Sequence, residues 1–184
     1  MAQTWRRGRG SAAPKAARPL DPPTLERLAL RYVERFATSR ARLLAYLQRK
    51  LRERGWAGED APEPERLVER FAALGYVDDR AFAEAKGAGL VRRGYGPRRV
   101  ATALMVAGID EADGADTHAA ARDGAWDAAV ALARRKRIGP FAPAAPDRAG
   151  REKAIAVLIR AGHDLATARA IGGAPPGPVP EQPS

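Results

Sequence analysis

Apolar residues in this chain recur at spacings of three and four. Leu25, Leu28, Tyr32 and Phe36 fall on one face and predict a helix over about 25–37. Ser39 stands where a helix cap belongs, and Leu43, Leu47 and Leu51 then repeat every four residues up to a stop at Gly55. After the Pro-containing run "GEDAPEP", Leu67, Val68, Phe71 and Leu74 predict a third helix that ends at Gly75. Asp78 or Asp79 opens a fourth that runs to Arg93. No segment alternates convincingly between apolar and polar residues, so the predicted fold class is all-α.

The pattern repeats. Gly55, Gly108 and Gly162 lie 53 and 54 residues apart. Stepping back in fours gives Leu51, Leu47 and Leu43 from the first, Leu104, Val100 and Gly96 from the second, and Leu158, Ala154 and Gly150 from the third. Trp56, Ile109 and His163 follow the three glycines, which fits a C-cap whose next side chain folds back on the helix. Each of these ladder helices has a predicted neighbour before it, at about 25–37, 79–93 and 124–137. Each has another after it, at about 64–74, 110–122 and 164–171. Nine helices in three tandem three-helix repeats is the simplest parse. The repeats are placed at 24–75, 76–122 and 123–171. The third contains a loop, "IGPFAPAAPDR", and a short last helix.

Composition adds a partner class. The net charge is +10, and half of it comes from Arg6, Arg7, Arg9, Lys15 and Arg18 near the N-terminus. Such an excess favours an anionic partner. Residues 1–23, rich in Ala, Arg, Gly and Pro, and 172–184, "GGAPPGPVPEQPS", have too little apolar surface to offset ordering entropy, and both are expected to be disordered tails. With no cysteine there are no disulfides and no thiolate metal site. No apolar run follows the basic N-terminal residues as in a secretory signal, and no long uncharged segment could span a membrane. A cytoplasmic monomer is the resulting expectation.

The run "RRGYGPRRV", residues 92–100, is the most distinctive local feature. It is no P-loop: Pro97 lacks an amide hydrogen, and no Lys-Ser/Thr pair or preceding strand is present. It is no dinucleotide fingerprint, since Arg99 stands where the last glycine belongs. As a joint between helices it makes sense. Gly94 ends one helix, Pro97 suits the first turn of the next, and Val100 and Leu104 then face a core. Arg92 and Arg93 at a helix C-terminus suit the macrodipole, whereas Arg98 and Arg99 in a first turn oppose it and point to an external anion.

Other chemistry finds no support. His118 and His163 lie far apart without cysteines or clustered carboxylates, so neither a metal nor a cofactor is expected. Asp78 and Asp79 are adjacent on a helix, point in different directions, and read better as a cap than as a catalytic pair. "GWAG" at 55–58 has the spacing of a single-strand clamp, but that clamp needs a mixed α/β fold; here it reads as a helix end. Trp56 and Trp126 read as helix-contact residues.

"LGYVDDRAFAEA" followed by "RRGYGPRRVATALMVAGI" resembles the RecX family of bacterial RecA regulators. The shared pattern is carried by Gly75, Tyr76, Asp78, Asp79, Phe82, Ala83, Gly94, Gly96, Pro97, Val100, Leu104, Gly108 and Ile109. "ATSRARLLAYLQRKLRERGW" is similar to the family's first-repeat element. The resemblance spans about residues 25–171 and implies tandem three-helix repeats in an elongated, curved array. It implies a non-enzymatic regulator that binds the filament of RecA on single-stranded DNA. There it would inhibit extension, ATP hydrolysis, strand exchange and co-protease action. Arg92, Arg93, Arg98 and Arg99 are the expected partner-binding residues, with Arg49 and Lys50 next, and weak direct DNA contact is allowed. Gly87 and Gly89 depart from the pattern, each at a cost of about 1 kcal/mol in a helix interior. His163 stands where the family often has an aromatic. The rival reading is a generic basic helical-repeat module that binds nucleic acid directly.

Overall fold

The computed structural model describes residues 18–183. The described chain is helical, apart from one isolated bridge between Leu20 and Trp56. Repeat 1 comprises α1 (Pro22–Arg35), α2 (Arg40–Arg54) and α3 (Pro64–Ala73). Repeat 2 comprises α4 (Asp79–Arg92), α5 (Pro97–Val106) and α6 (Glu111–Asp123). Repeat 3 comprises α7 (Ala125–Lys136), α8 (Arg148–Arg160) and α9 (Leu165–Gly172), with a 3-10 turn at Gly139–Phe141 inside its proline-rich loop.

Capping chemistry sets most helix starts. Asp21, Ser39, Asp78, Asp110, Asp147 and Asp164 each accept a hydrogen bond from a backbone amide three residues on. Pro97 begins α5, where its missing amide costs nothing. At the other ends, Gly108 and Gly162 have φ of 70° and 96°. The following amides, of Ile109 and His163, donate back to the carbonyls of Leu104 and Leu158. These are Schellman turns, and they turn the next residue inward.

Each repeat has its own core. Leu25, Leu43, Leu47, Val68 and Phe71 anchor the first, Ala83, Val100, Leu104 and Ala121 the second, and Leu132, Leu158, Ala168 and Ile171 the third. In the second core α4 comes close to α6 at Gly87, where a Cβ would lie 2.2 Å from Thr117 Cγ2. Its helix-propensity cost is therefore offset by the close approach of α4 to α6, which no larger residue allows. Gly89 has no such reason, since its nearest neighbour is the Arg92 guanidinium at 3.8 Å.

The N-terminal tail expected over residues 1–23 is shorter than composition suggested. Leu20 is fully buried, its amide donates to Gly55 O, and its carbonyl accepts from Ala57, so the fold begins well before residue 24. The basic residues Arg6, Arg7, Arg9 and Lys15 lie outside the described residues. At the other end, the chain from 173 to 183 has no helix, yet Gly177 donates to Pro140 O and ties the segment to the repeat 3 loop.

The ladder helices stand head to tail. The N-terminus of α2 meets the C-terminus of α5, where Ser39 Oγ donates to Ala107 O at 2.5 Å. The N-terminus of α5 meets the C-terminus of α8 in the same way, with Gly96 and Arg98 amides donating to the carbonyls of Ala161 and Gly162 at 2.9 and 3.1 Å. Each helix thus satisfies the orphan groups of the next. Ser39 serves twice, since its Oγ also accepts from the Arg42 amide. The Ser39→Ala variant is expected to lose about 2 kcal/mol, from one cap and one buried bond. A thermal melt should show a midpoint lower by roughly 4–8 °C.

Candidate binding face

Two inter-repeat joints gather most of the residues singled out in the sequence. At the joint of repeats 1 and 2, Asp78 caps α4 while Asp79 is buried and turned toward repeat 1. Asp79 accepts from the Arg40 amide at 2.8 Å and from Arg40 Nε at 3.2 Å. Arg40 also reaches Asp113 on α6, at 3.2 Å. Gly108 packs its Cα against Ala41. Sequence reading missed Arg40; its partners lie 39 and 73 residues away, and no local spacing reveals them.

The joint of repeats 2 and 3 is the "RRGYGPRRV" run. Gly96 lies against the backbone of Gly162 and His163. His163 is fully buried, and its Nε2–H donates to Gly94 O at 3.1 Å. The Nδ1 atom has no hydrogen-bond partner among the described residues. Burial holds the imidazole below its ordinary pKa; the Gly94 bond and nearby Asp164 oppose that only in part. The charged form is the one disfavoured in the folded chain. This contribution to stability is therefore complete above about pH 6.5 and is lost as the pH falls from there toward the lower folded value. Urea midpoints measured at about pH 7.5 and 5 should show it. The acid loss should be smaller in His163→Gln than in the wild type.

The four arginines of the run are all exposed, and none has a carboxylate within ion-pair distance among the described residues. Arg93 and Arg99 flank the same ring, at 5.9 and 5.7 Å from the Tyr95 centroid. Arg92 and Arg98 make no comparable side-chain contact among the described residues. The expected dipole penalty on Arg98 and Arg99 does not arise as the sequence implied. Their helix N-terminus is covered by the carbonyl end of α8, which brings a partial negative charge to the same place. Arg49 and Lys50 stand apart, and both pair with Glu53.

The basic surface extends beyond the run. Arg42 of α2 and Lys86 of α4 sit over the Phe82 ring at 5.4 and 5.7 Å. Lys86 is held below its ordinary pKa, first by burial and then by the positive charges of Arg42 and Arg93. Phe82 and Lys86 stand on α4 and Arg93 is its C-cap, so this helix joins the Phe82 group to the Tyr95 group. Arg135 of α7 closes the band by donating to Arg93 O at 2.6 Å. Arg42, Lys86, Arg93, Arg99 and Arg135 therefore link one helix of repeat 1, two of repeat 2 and one of repeat 3, and no carboxylate neutralises any of them among the described residues. Arg93 and Arg99 were singled out in the sequence; Arg42, Lys86 and Arg135 were not.

A family model described as the second three-helix domain of RecX matches residues 78–116. The regulatory protein RecX of Myxococcus xanthus (strain DK1622) is 31% identical over 171 residues, covering 86% of this chain and 89% of that one. This chain belongs to the RecX family. RecX of Xanthomonas campestris pv. campestris (strain B100) is 35% identical over 118 residues, 64% of this chain and 69% of its own. The fold agrees with the crystal structure of RecX from Lactobacillus salivarius at a TM-score of 0.60, with 18% identity, over 81% of this chain and 92% of that one. The stretch matched by the RecX family model begins at the Asp78 cap and ends within α6, so it contains the joint run and both rings that carry the basic band. No described helix is long and apolar enough to cross a membrane, and no described cluster of His, Asp and Glu could hold a metal ion.

Proposed function

We propose that this chain regulates the RecA recombinase by binding the RecA filament on single-stranded DNA. It inhibits filament extension, ATP hydrolysis, strand exchange and co-protease activity, acts in the cytoplasm, and catalyses no reaction itself. The observation that carries this reading is the un-neutralised basic band linking the three repeats. A filament of protein on nucleic acid offers anionic groups at regular intervals. A row of helices whose cations are held on ring faces and backbone carbonyls meets such an array with little further loss of side-chain freedom. Family membership supports the partner, and the band supports this choice of face.

The test is RecA ATPase on single-stranded DNA with this protein at substoichiometric amounts. Inhibition is expected well below one copy per RecA. Full ATPase activity under those conditions, with the protein folded by circular dichroism, would overturn the reading. Tight binding to bare DNA with a steep salt slope and no effect on RecA would favour the direct nucleic-acid module instead.

A further inference from the structure

Repeat 1 carries a second surface that the basic band does not use. Tyr32 and Tyr46 stack at 4.3 Å with an interplanar angle of 19°, and Tyr32 meets Phe36 at 5.3 Å. The tyrosines back onto the repeat 1 core, but Phe36 takes no part in that core and is 49% exposed. It is the C-cap of α1, in extended conformation, so its ring projects where the helix stops. These three rings border a hollow of about 410 Å³ together with Arg31, Arg35 and Arg49. No carboxylate lines the hollow. Arg31 and Arg35 have no acidic partner within ion-pair distance among the described residues, and Arg35 sits over the Phe36 ring at 5.5 Å.

Arg49 is already paired with Glu53, but an exposed ring beside Arg31 and Arg35 suits a ligand with flat apolar faces and negative charge together. We infer that this hollow is a stacking site for a single-stranded nucleic acid. An unpaired base lies on Phe36 and the flanking phosphates meet Arg31 and Arg35. A duplex hides its base faces and does not use the ring, while an acidic polypeptide satisfies the arginines but leaves the ring idle. The inference deepens the proposed function, because it names a contact to the strand on which the filament is built. It does not need RecA, so its test contains none, and the two readings fail separately.

The experiment is fluorescence anisotropy of a short labelled oligo-dT with the full chain over a range of salt. Phe36→Leu keeps an apolar side chain and removes the ring. It is expected to bind about tenfold more weakly, within the usual worth of one stacked base, with its salt slope unchanged. Arg35→Ala is expected to lower the log–log salt slope by about 0.7, the value for one phosphate on a single strand. Binding to a duplex of the same length should not respond to Phe36→Leu. Unchanged oligo-dT affinity in Phe36→Leu, or an equal loss on duplex, would overturn the inference. So would displacement of oligo-dT by polyglutamate as readily as by unlabelled oligo-dT. Should Phe36→Leu lose its helical signal, Arg35→Ala decides alone, and an unchanged slope would overturn the inference.

Discussion

Arg98→Glu/Arg99→Glu is expected to abolish inhibition of RecA ATPase at protein concentrations where the wild type is fully effective, while leaving the melting curve within a few degrees. Both side chains are exposed, and the joint uses only the Arg98 amide and the N, Cα and Cβ of Arg99 that lie against Gly162, all of which glutamate keeps. The exchange forfeits one exposed cation–π contact, between Arg99 and Tyr95, worth about 0.5–1 kcal/mol. The local helix field is largely cancelled by the carbonyl end of α8, so the new carboxylates meet neither strong attraction nor strong repulsion from it. Stability should therefore change by about 1 kcal/mol at most. Binding is another matter. The net charge falls by four from +10, and the reversal sits in the middle of the band, beside Arg93. Opposing an anionic surface with like charge costs several kcal/mol, enough for a loss of inhibition of at least a hundredfold. The matching control is Arg66→Glu/Arg148→Glu. Those two cations already pair with Glu63 and Glu152, belong to neither the band nor the Phe36 hollow, and should weaken inhibition far less. Equal losses from both pairs would mean that net charge alone carries the effect, and that the band has no special place.

The helices were legible because their signals are local. Asp78, Ser39 and Pro97 mark starts, and Gly55, Gly75, Gly94, Gly108 and Gly162 all have positive φ at or just past helix ends. The three-repeat parse followed from the ladder spacing, and the order of the three cores bears out the all-helical array. What was hidden depends on how repeats meet. Arg40 reads as one arginine among many until α4 and α6 bring it Asp79 and Asp113. Gly87 looks like a flaw in α4 until Thr117 stands against it. Leu20 looks like part of a tail until Gly55 turns the chain so that Trp56 and Ala57 run beside it. In the candidate site, Arg92, Arg93, Arg98 and Arg99 could be chosen because they flank the helix joint in sequence. Arg42 and Arg135 come from neighbouring repeats, and only the joints bring them near.

Those joints are tight enough that one methyl group should open the second. Gly96 has φ of −84°, a value any residue adopts, so backbone preference does not require glycine there. Space does. A Cβ at this position would stand 2.5 Å from Gly162 O, 2.6 Å from Gly162 C and 2.7 Å from His163 N. All three are backbone atoms, and no flexible side-chain end is available to yield. Gly96→Ala must therefore push the start of α5 off the end of α8. That movement strains the amide bonds to Ala161 and Gly162 and the His163 bond to Gly94. Overpacking and weakened bonds together should cost on the order of 3 kcal/mol. Gly89→Ala is the counterpart, since the space there is open and helix propensity alone should stabilise it by up to about 1 kcal/mol. Hydrogen exchange should localise the damage in Gly96→Ala to the amides of residues 96–99 and 161–163, with the repeat 1 core still protected. Inhibition of RecA should fall with it, because Arg135 would lose its register with Arg93 while every cation of the band remained. A Gly96→Ala protein as stable and as active as the wild type would show that repeats 2 and 3 are loosely hinged, and that the band needs no fixed joint to work.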